Sequence, residues 1–326
     1  MPVLDLLDRR IMYELDLNAR VPAAKLAKTL RKSKETVNFR IKRLLSEGYL
    51  KGFYTVFNTS ALGWYYHKMY VKFRSITPEK EREIINYLKE RERIAYLANR
   101  EGFYNCTFLV MSRSPRDMSD FLDAFMKKYG ECIEEKQMVI FLSTHRLNHR
   151  FLYNGKAHAD YFYPIEMGNY ELDETDKRIL QILSTNARSG ASEIAKRIRA
   201  DPKTVAYRIR KLEKDRIILG YVSSPNFEKL GLEFIQINIS LKDPARRRDI
   251  IRYFDSTDKC VFGIELLGRY DLTIEVHVQG RGELKKIMDG FRAKFVDQYN
   301  DYDISTISEE HVVVWCPFPK GESLKT

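Results

Sequence analysis

The segment from Leu4 to Tyr54 recurs at Leu172 to Val222 without a gap. LDLLDRRIMYELDLNARVPAAKLAKTLRKSKETVNFRIKRLLSEGYLKGFY lies over LDETDKRILQILSTNARSGASEIAKRIRADPKTVAYRIRKLEKDRIILGYV. Identities fall at positions a small helical core needs: Leu4/Leu172, Ile11/Ile179, Leu15/Leu183, Ala27/Ala195, Val37/Val205, Ile41/Ile209 and Leu44/Leu212. A repeat of this kind constrains the fold before any local signal, because both copies must close the same core. Its long period implies two duplicated domain pairs, not a solenoid of short units.

A chain of 326 residues accommodates two to four domains. The net charge of +11 is unevenly placed. Residues 1–55 carry twelve Lys and Arg against six acids, and residues 172–222 carry twelve against seven, so the remainder is neutral. An excess confined to the two repeated segments is the footprint expected where phosphates are neutralised. No apolar run approaches the ~20 residues of a membrane span. The start of the chain lacks the pattern of a signal peptide, so cytoplasm is the expected location. Cys106, Cys132, Cys260 and Cys316 form no C-x-x-C pair, which argues against a zinc site or a disulfide framework. No metal and no cofactor are expected.

Each repeated segment reads as three amphipathic helices. Leu7, Ile11 and Leu15 make the first apolar stripe, Leu26, Ala27 and Leu30 the second, and Val37, Ile41 and Leu44 the third. Ser33 and Asp201 are suited to cap the third helices, with Pro202 at the first helical position. Three short helices joined by tight turns are the helix-turn-helix plan. The strand-forming residues that follow, 49–54 and 217–222, predict a β-ribbon that makes each unit winged.

A third helix of this kind fits a DNA major groove. With Val37, Ile41 and Leu44 inward, Lys34, Glu35, Asn38 and Lys42 face outward; in the second copy Lys203, Thr204, Tyr207 and Arg210 do, with Ala206 nearby. Asn pairs bidentately with adenine and Arg with guanine, while Lys contacts bases or phosphate. Arg40 and Arg208 occupy matching flanking positions and are assigned to phosphate contact or to a structural ion pair. The two faces differ, Asn38 and Lys42 against Ala206 and Arg210, which suits an imperfect palindrome or one copy used as an anchor.

Beyond the repeat, Leu62-Gly63 matches Leu230-Gly231, and alternating strands follow at 65–73 and 233–241. Helix, strand, strand, helix and strand patterns complete a β-α-β-β-α-β order in both copies, with turns at Gly102-Phe103-Tyr104-Asn105 and Gly268-Arg269-Tyr270-Asp271. This is the ferredoxin-like plan, an antiparallel sheet with helices on one face. Its bare face predicts sheet-to-sheet pairing, within the chain or between chains. The aromatic-rich connector at 147–171 suits a packed crossover more than a free tether.

Together these features predict an α+β chain with two copies of a winged helix-turn-helix followed by a ferredoxin-like domain. The expected boundaries are 1–58 and 59–150 for the first pair, 151–170 for the connector, and 171–226 and 227–320 for the second pair. The helix-turn-helix, the strand after it, the Leu-Gly strand entry and the G-x-Y-[DN] turn, in this order, resemble the Lrp/AsnC (feast/famine) family of transcriptional regulators. The resemblance implies double-stranded DNA and a small-molecule effector, such as an amino acid, as partners. It also implies pairing through the sheets, here as an intramolecular pseudo-dimer or a homo-oligomer. By the same resemblance Gly102, Tyr104, Asn105, Gly268, Tyr270 and Asp271 would line effector pockets; a structural β-turn that uses Gly and Asn or Asp for its backbone accounts for them at least as well. Asn105 departs from Asp271, since an amide lacks the charge that would hold an ammonium group.

An enzyme is the competing reading, because siroheme decarboxylases resemble the same two-domain plan. Basic and histidine side chains would have to hold a polycarboxylate macrocycle, and His145, Arg146, His149 and Arg150 are the candidates; a surface segment or a local ion-pair patch is the favoured explanation of them. The charge excess lies on the repeated helices and not on the sensing domains, which favours DNA binding over catalysis. A third reading, an effector-binding protein that never regulates DNA, is opposed by the positive charge retained on both third helices.

Overall fold

The computed structural model describes residues 4–147, 149–153, 161–164 and 166–316. Residues 154–160 and 165 of the expected connector, and the residues from 317 on expected to close the second ferredoxin-like domain, lie outside them.

The first copy opens with α1 (Leu6–Leu17), α2 (Ala23–Leu30) and α3 (Lys34–Ser46). Side chains supply the amide partners that helix starts lack. Asp5 and Asp8 form a reciprocal capping box on α1, and Ser33 accepts from the Thr36 amide at 3.0 Å on α3. α2 ends where Arg31 turns left-handed at φ 52°. A strand β1 (Leu50–Phe57) leads into β2 (Tyr65–Phe73), α4 (Pro78–Lys89), β3 (Ile94–Glu101), β4 (Cys106–Ser112), α5 (Pro115–Tyr129) and β5 (Ile133–Arg146). After a short strand, β6 (Tyr161–Pro164), the plan repeats. The second copy comprises α6 (Glu174–Thr185), α7 (Ala191–Ile198), α8 (Pro202–Lys214), β7 (Ile218–Pro225), β8 (Glu233–Leu241), α9 (Arg247–Asp255), β9 (Cys260–Gly268), β10 (Leu272–Val278), α10 (Arg281–Lys294) and β11 (Tyr299–Val313).

The expected ribbon is built across the copies. Each unit supplies one strand, and β1 pairs antiparallel with β7 from Leu50 against Pro225 to Phe57 against Ile218. A lone strand leaves its amides and carbonyls unpaired, so each copy completes the other. The helical units are joined reciprocally as well. Arg20 donates to the carbonyls of Ala187 (2.7 Å) and Ser189 (2.9 Å), and Arg188 donates to that of Ala19. Arg20 stacks over Tyr221 at 4.9 Å while Arg188 stacks over Phe53 at 5.3 Å. Equivalent residues touching equivalent partners are the mark of a twofold-related contact, here inside one chain. Both units share a single core that contains Ile11, Leu15, Leu44, Ile179, Leu183 and Leu212. Each fully buried aliphatic side chain of this kind stabilises by about 1.5–3 kcal/mol.

The two ferredoxin-like sheets close on each other in the order β2-β4-β3-β11-β8-β10-β9-β5, and β5 returns to β2. The long strands β5 and β11 make this possible, each pairing with its own sheet at one end and the other sheet at the other. Helices α4 and α5 cover one half, with Phe125 packed over Met69 and Phe108, and α9 and α10 cover the other, with Phe254 and Phe291 over Ile237. The enclosed face carries aromatic residues, among them Tyr66, Tyr70 and Phe141, together with polar Lys68, Arg100, Gln236 and Asn238. Sheet pairing within the chain thus covers the faces that sequence left bare. In the connector, Leu147, His149 and Leu152 are buried and β6 pairs with β5, whereas Phe162 and residues 166–169 are exposed.

Candidate functional site

The third helices present their outward faces without cover. Lys34, Glu35 and Lys42 are exposed on α3 and Asn38 is partly so, while Lys203, Thr204, Tyr207 and Arg210 are exposed on α8. Val37, Ile41 and Leu44, and Val205, Ile209 and Leu212, hold each helix against its unit. The side chain missed from the sequence is Phe39. It is 64% exposed and stands at the position matching Tyr207, which is 62% exposed. Its signal was an aromatic residue at an outward position of an amphipathic helix. An exposed aromatic costs solubility, and such a ring is suited to pack on a thymine methyl.

Arg40 and Arg208 are engaged elsewhere. Arg40 donates to Asp5 at 2.7 Å and Asp8 at 3.1 Å, and Arg43 also holds Asp8. Arg208 makes the equivalent pairs with Asp173 and Asp176. Of the two roles open to these arginines, the ion pair with the first helix is the one formed. It sets the angle between the first and third helices in both copies.

The six turn residues serve the sheets. Tyr104 and Tyr270 are buried, and the ring of each lies 5.7 Å from that of Tyr70. Asn105 accepts from the Phe73 amide at 2.9 Å, and Asp271 accepts from the Leu241 amide at 2.8 Å while pairing with Arg247 at 2.9 Å. Gly102 (φ 157°) and Gly268 (φ 140°) lie in the left-handed region against the opposing sheet. A Cβ there would sit 2.9 Å from the Ser305 side chain or from the Met138 carbonyl oxygen. A hollow of about 310 Å³ touches Asn105 and none of the other five.

The histidine–arginine segment is spent on carboxylates. Arg146 (2.6 Å) and His149 (3.0 Å) bind Asp16 of α1, His145 lies 3.4 Å from Glu265, and Arg150 pairs with Asp255 and Asp258. Burial pushes the Asp16 carboxyl up, but Arg146 and His149 outweigh it and hold it well below the carboxylate range.

A cavity of about 600 Å³ opens between the β1–β7 ribbon and the enclosed sheet faces. The ribbon residues Lys51–Phe57 and Ser223–Pro225 form one side; Tyr66, Phe141, Phe234 and Trp315 contribute aromatic walls. Lys68, Glu275 and His277 supply polar groups from the sheets. His277 stacks on Phe227 with ring centres 3.6 Å apart, and burial keeps its pKa well below the usual histidine value, so the ring is neutral. Glu310 faces Lys51 at 3.8 Å. Lys68 alternates with Tyr66 and Tyr70 along β2, and Glu275 with His277 along β10, and polar residues in such alternation were the available sequence signal. Among the described residues no group of His, Cys, Asp and Glu is arranged to hold a metal, and no helix is long and apolar enough to cross a membrane.

Comparison with known proteins gives the family. The AsnC-type helix-turn-helix domain model matches residues 172–213, and the winged helix-turn-helix DNA-binding model matches residues 4–51. An uncharacterized HTH-type transcriptional regulator of Pyrococcus furiosus is 31% identical over 121 residues, 36% of this chain and 80% of the relative. The regulatory protein AsnC of Haemophilus influenzae is 28% identical over 120 residues, again 36% of this chain and 80% of the relative. Among solved structures the siroheme decarboxylase NirDL superposes with a TM-score of 0.64 over 95% of this chain and 94% of that one, at 13% identity. It was also solved with an iron-uroporphyrin III analogue. At that identity the likeness is one of fold. Two helix-turn-helix units, both matched by helix-turn-helix domain models, and a relative aligned over most of its length lead to one conclusion: the chain belongs to the Lrp/AsnC family of transcriptional regulators, in a tandem form.

Proposed function

We propose that the chain binds double-stranded DNA sequence-specifically as a built-in pseudo-dimer, and that a small metabolite controls this binding. The observation that carries the reading is the pair of third helices, capped, anchored by matched ion pairs and uncovered on faces that bear Asn38 and Phe39 or Tyr207 and Arg210. Base edges would be read by Asn38, Lys42 and Arg210, with Phe39 and Tyr207 on thymine methyls and Lys34 and Lys203 on phosphate or bases. The unlike faces favour two unlike half-sites. Control has a mechanical basis, since the ribbon that bounds the cavity is continuous with α3 and α8. A ligand that favours one ribbon position would shift the reading helices together.

A second reading is a decarboxylase of the siroheme type, favoured by the shared fold and by the histidines near the cavity. A polycarboxylate substrate requires several cations free to meet it, whereas Arg146 is held by Asp16 and Lys51 by Glu310. The regulator is therefore the preferred reading. Selection of bound duplexes from a random pool at moderate salt tests it. Enrichment of two half-sites at constant spacing is expected; retention of nothing, even at low salt, would overturn it.

A further inference from the structure

The fusion of two copies has a consequence for the central cavity. In a homodimer every residue beside the twofold axis occurs twice, so a site there is symmetric. Here the equivalents differ. Lys68 on β2 matches Gln236 on β8, Glu275 on β10 matches Leu109 on β4, and His277 matches Met111. Lys68, Glu275 and His277 each enter the cavity from one copy only.

Lys68 is 3% exposed, and among the described residues no carboxylate lies within 4.0 Å of its nitrogen and no hydrogen bond is made to it. It stands 5.2 Å over the Tyr70 ring. The acidic groups are better provided for: Glu275 accepts from Gln236 at 2.8 Å, and Glu310 faces Lys51. Burial lowers the Lys68 ammonium to about 8 against the attraction of Glu275, and burial raises the Glu275 carboxyl above its usual range against the attraction of Lys68. Glu275 across the cavity attracts the Lys68 ammonium without touching it, and an anionic ligand would supply the direct contact that this buried charge lacks. One such cation calls for one anionic group. An ammonium group would find Glu275 and Glu310 already met by Gln236 and Lys51, and a polyanion would find the other cavity cations, Lys51 and Arg146, already facing Glu310 and Asp16.

We propose that this cavity binds one aromatic monocarboxylic acid per chain, its carboxylate on Lys68 and its ring against Tyr66, Phe141, Phe234 and Trp315. A volume of about 600 Å³ lies within the range of small-molecule sites and suits a body of two or three rings. The inference deepens the metabolite-control reading and rests on it for its consequence, but the binding itself is measured without DNA. Failure of ligand binding and failure of operator selection are therefore read separately.

The test is calorimetry on the full chain with 2-naphthoic acid, 2-naphthamide, L-tryptophan and uroporphyrin III. The acid is expected to bind once per chain and at least tenfold tighter than the amide, with L-tryptophan and uroporphyrin III weaker. Lys68→Met should abolish the preference for acid over amide, and Lys68→Arg should keep it. The acid–amide comparison on the unmodified chain needs no variant to fold. Equal binding of acid and amide, no binding at millimolar acid, two molecules per chain, or tighter binding of L-tryptophan or uroporphyrin III would each overturn the assignment.

Discussion

Asp16→Asn is the perturbation whose magnitude follows most directly from the structure. The side chains of Asp16 and Arg146 are 0% and 1% exposed, and Arg146 donates to Asp16 at 2.6 Å. Asp16 also accepts the His149 backbone amide at 3.1 Å and meets the imidazole at 3.0 Å. The equivalent position in the second copy is Ser184, so this lock between α1 and β5 exists once. Removing one charge of a buried pair costs about 3–5 kcal/mol, because the other is left desolvated and uncompensated. Asparagine keeps the volume and one acceptor, which places the expected loss near 3 kcal/mol. An exposed pair would cost at most about 1 kcal/mol, so the size of the effect itself reports burial. The sign with pH follows from the depressed Asp16 carboxyl. Its stabilisation is complete above the unfolded value of about 3.9 and is lost as pH falls through the lower folded value. Urea unfolding followed by circular dichroism, from neutral to acid pH, should show a large deficit at pH 7 that shrinks at acid pH. Adding Arg146→Met should recover much of the deficit. A loss below about 1 kcal/mol at pH 7, or parallel pH profiles for both proteins, would refute the reasoning.

Three further outcomes are expected. Phe39→Ala should weaken binding to the selected operator by about 1 kcal/mol, and replacing the contacted thymine by uracil should weaken the unmodified chain but not the variant, as competition binding would show. Arg40→Ala should lower stability by about 1 kcal/mol while leaving the salt slope of DNA binding unchanged, since Arg40 is held by Asp5 and Asp8; Lys42→Ala should reduce that slope by about one. Gly268→Ala should cost about 1–3 kcal/mol in urea unfolding, because φ is 140° and the new Cβ meets the Met138 carbonyl oxygen at 2.9 Å.

Much of the architecture was legible because the signals that specify it are local and occur twice. Val37, Ile41 and Leu44 recur as Val205, Ile209 and Leu212, and helical periodicity alone turns them inward and leaves Asn38, Lys42, Tyr207 and Arg210 outward. The caps at Ser33 and Asp201 act within one turn of chain, so their side chains announce the helix starts. Phe39 was within reach of the same periodicity, but an apolar ring on a polar face reads as core until the packing shows otherwise.

What lay beyond the sequence depends on which distant groups meet. Composition marked Arg40 as cationic, but only the packed helices show its charge spent on Asp5 and Asp8. The G-x-Y-[DN] turns suggested pockets, yet closing the two sheets buries Tyr104 and Tyr270 around Tyr70 and turns Asn105 and Asp271 onto backbone amides. A β-ribbon was foreseeable from strand propensity, whereas its assembly from β1 and β7, 168 residues apart by the repeat, was not. Sequence by itself determined the repeated units, their inward faces and the placement of their charge, because hydrophobic periodicity and capping are written residue by residue. Tertiary structure alone decided that the copies pair within one chain and that Lys68 and Glu275 share an enclosed cavity, because long-range pairing and the fate of a buried charge are properties of the folded assembly.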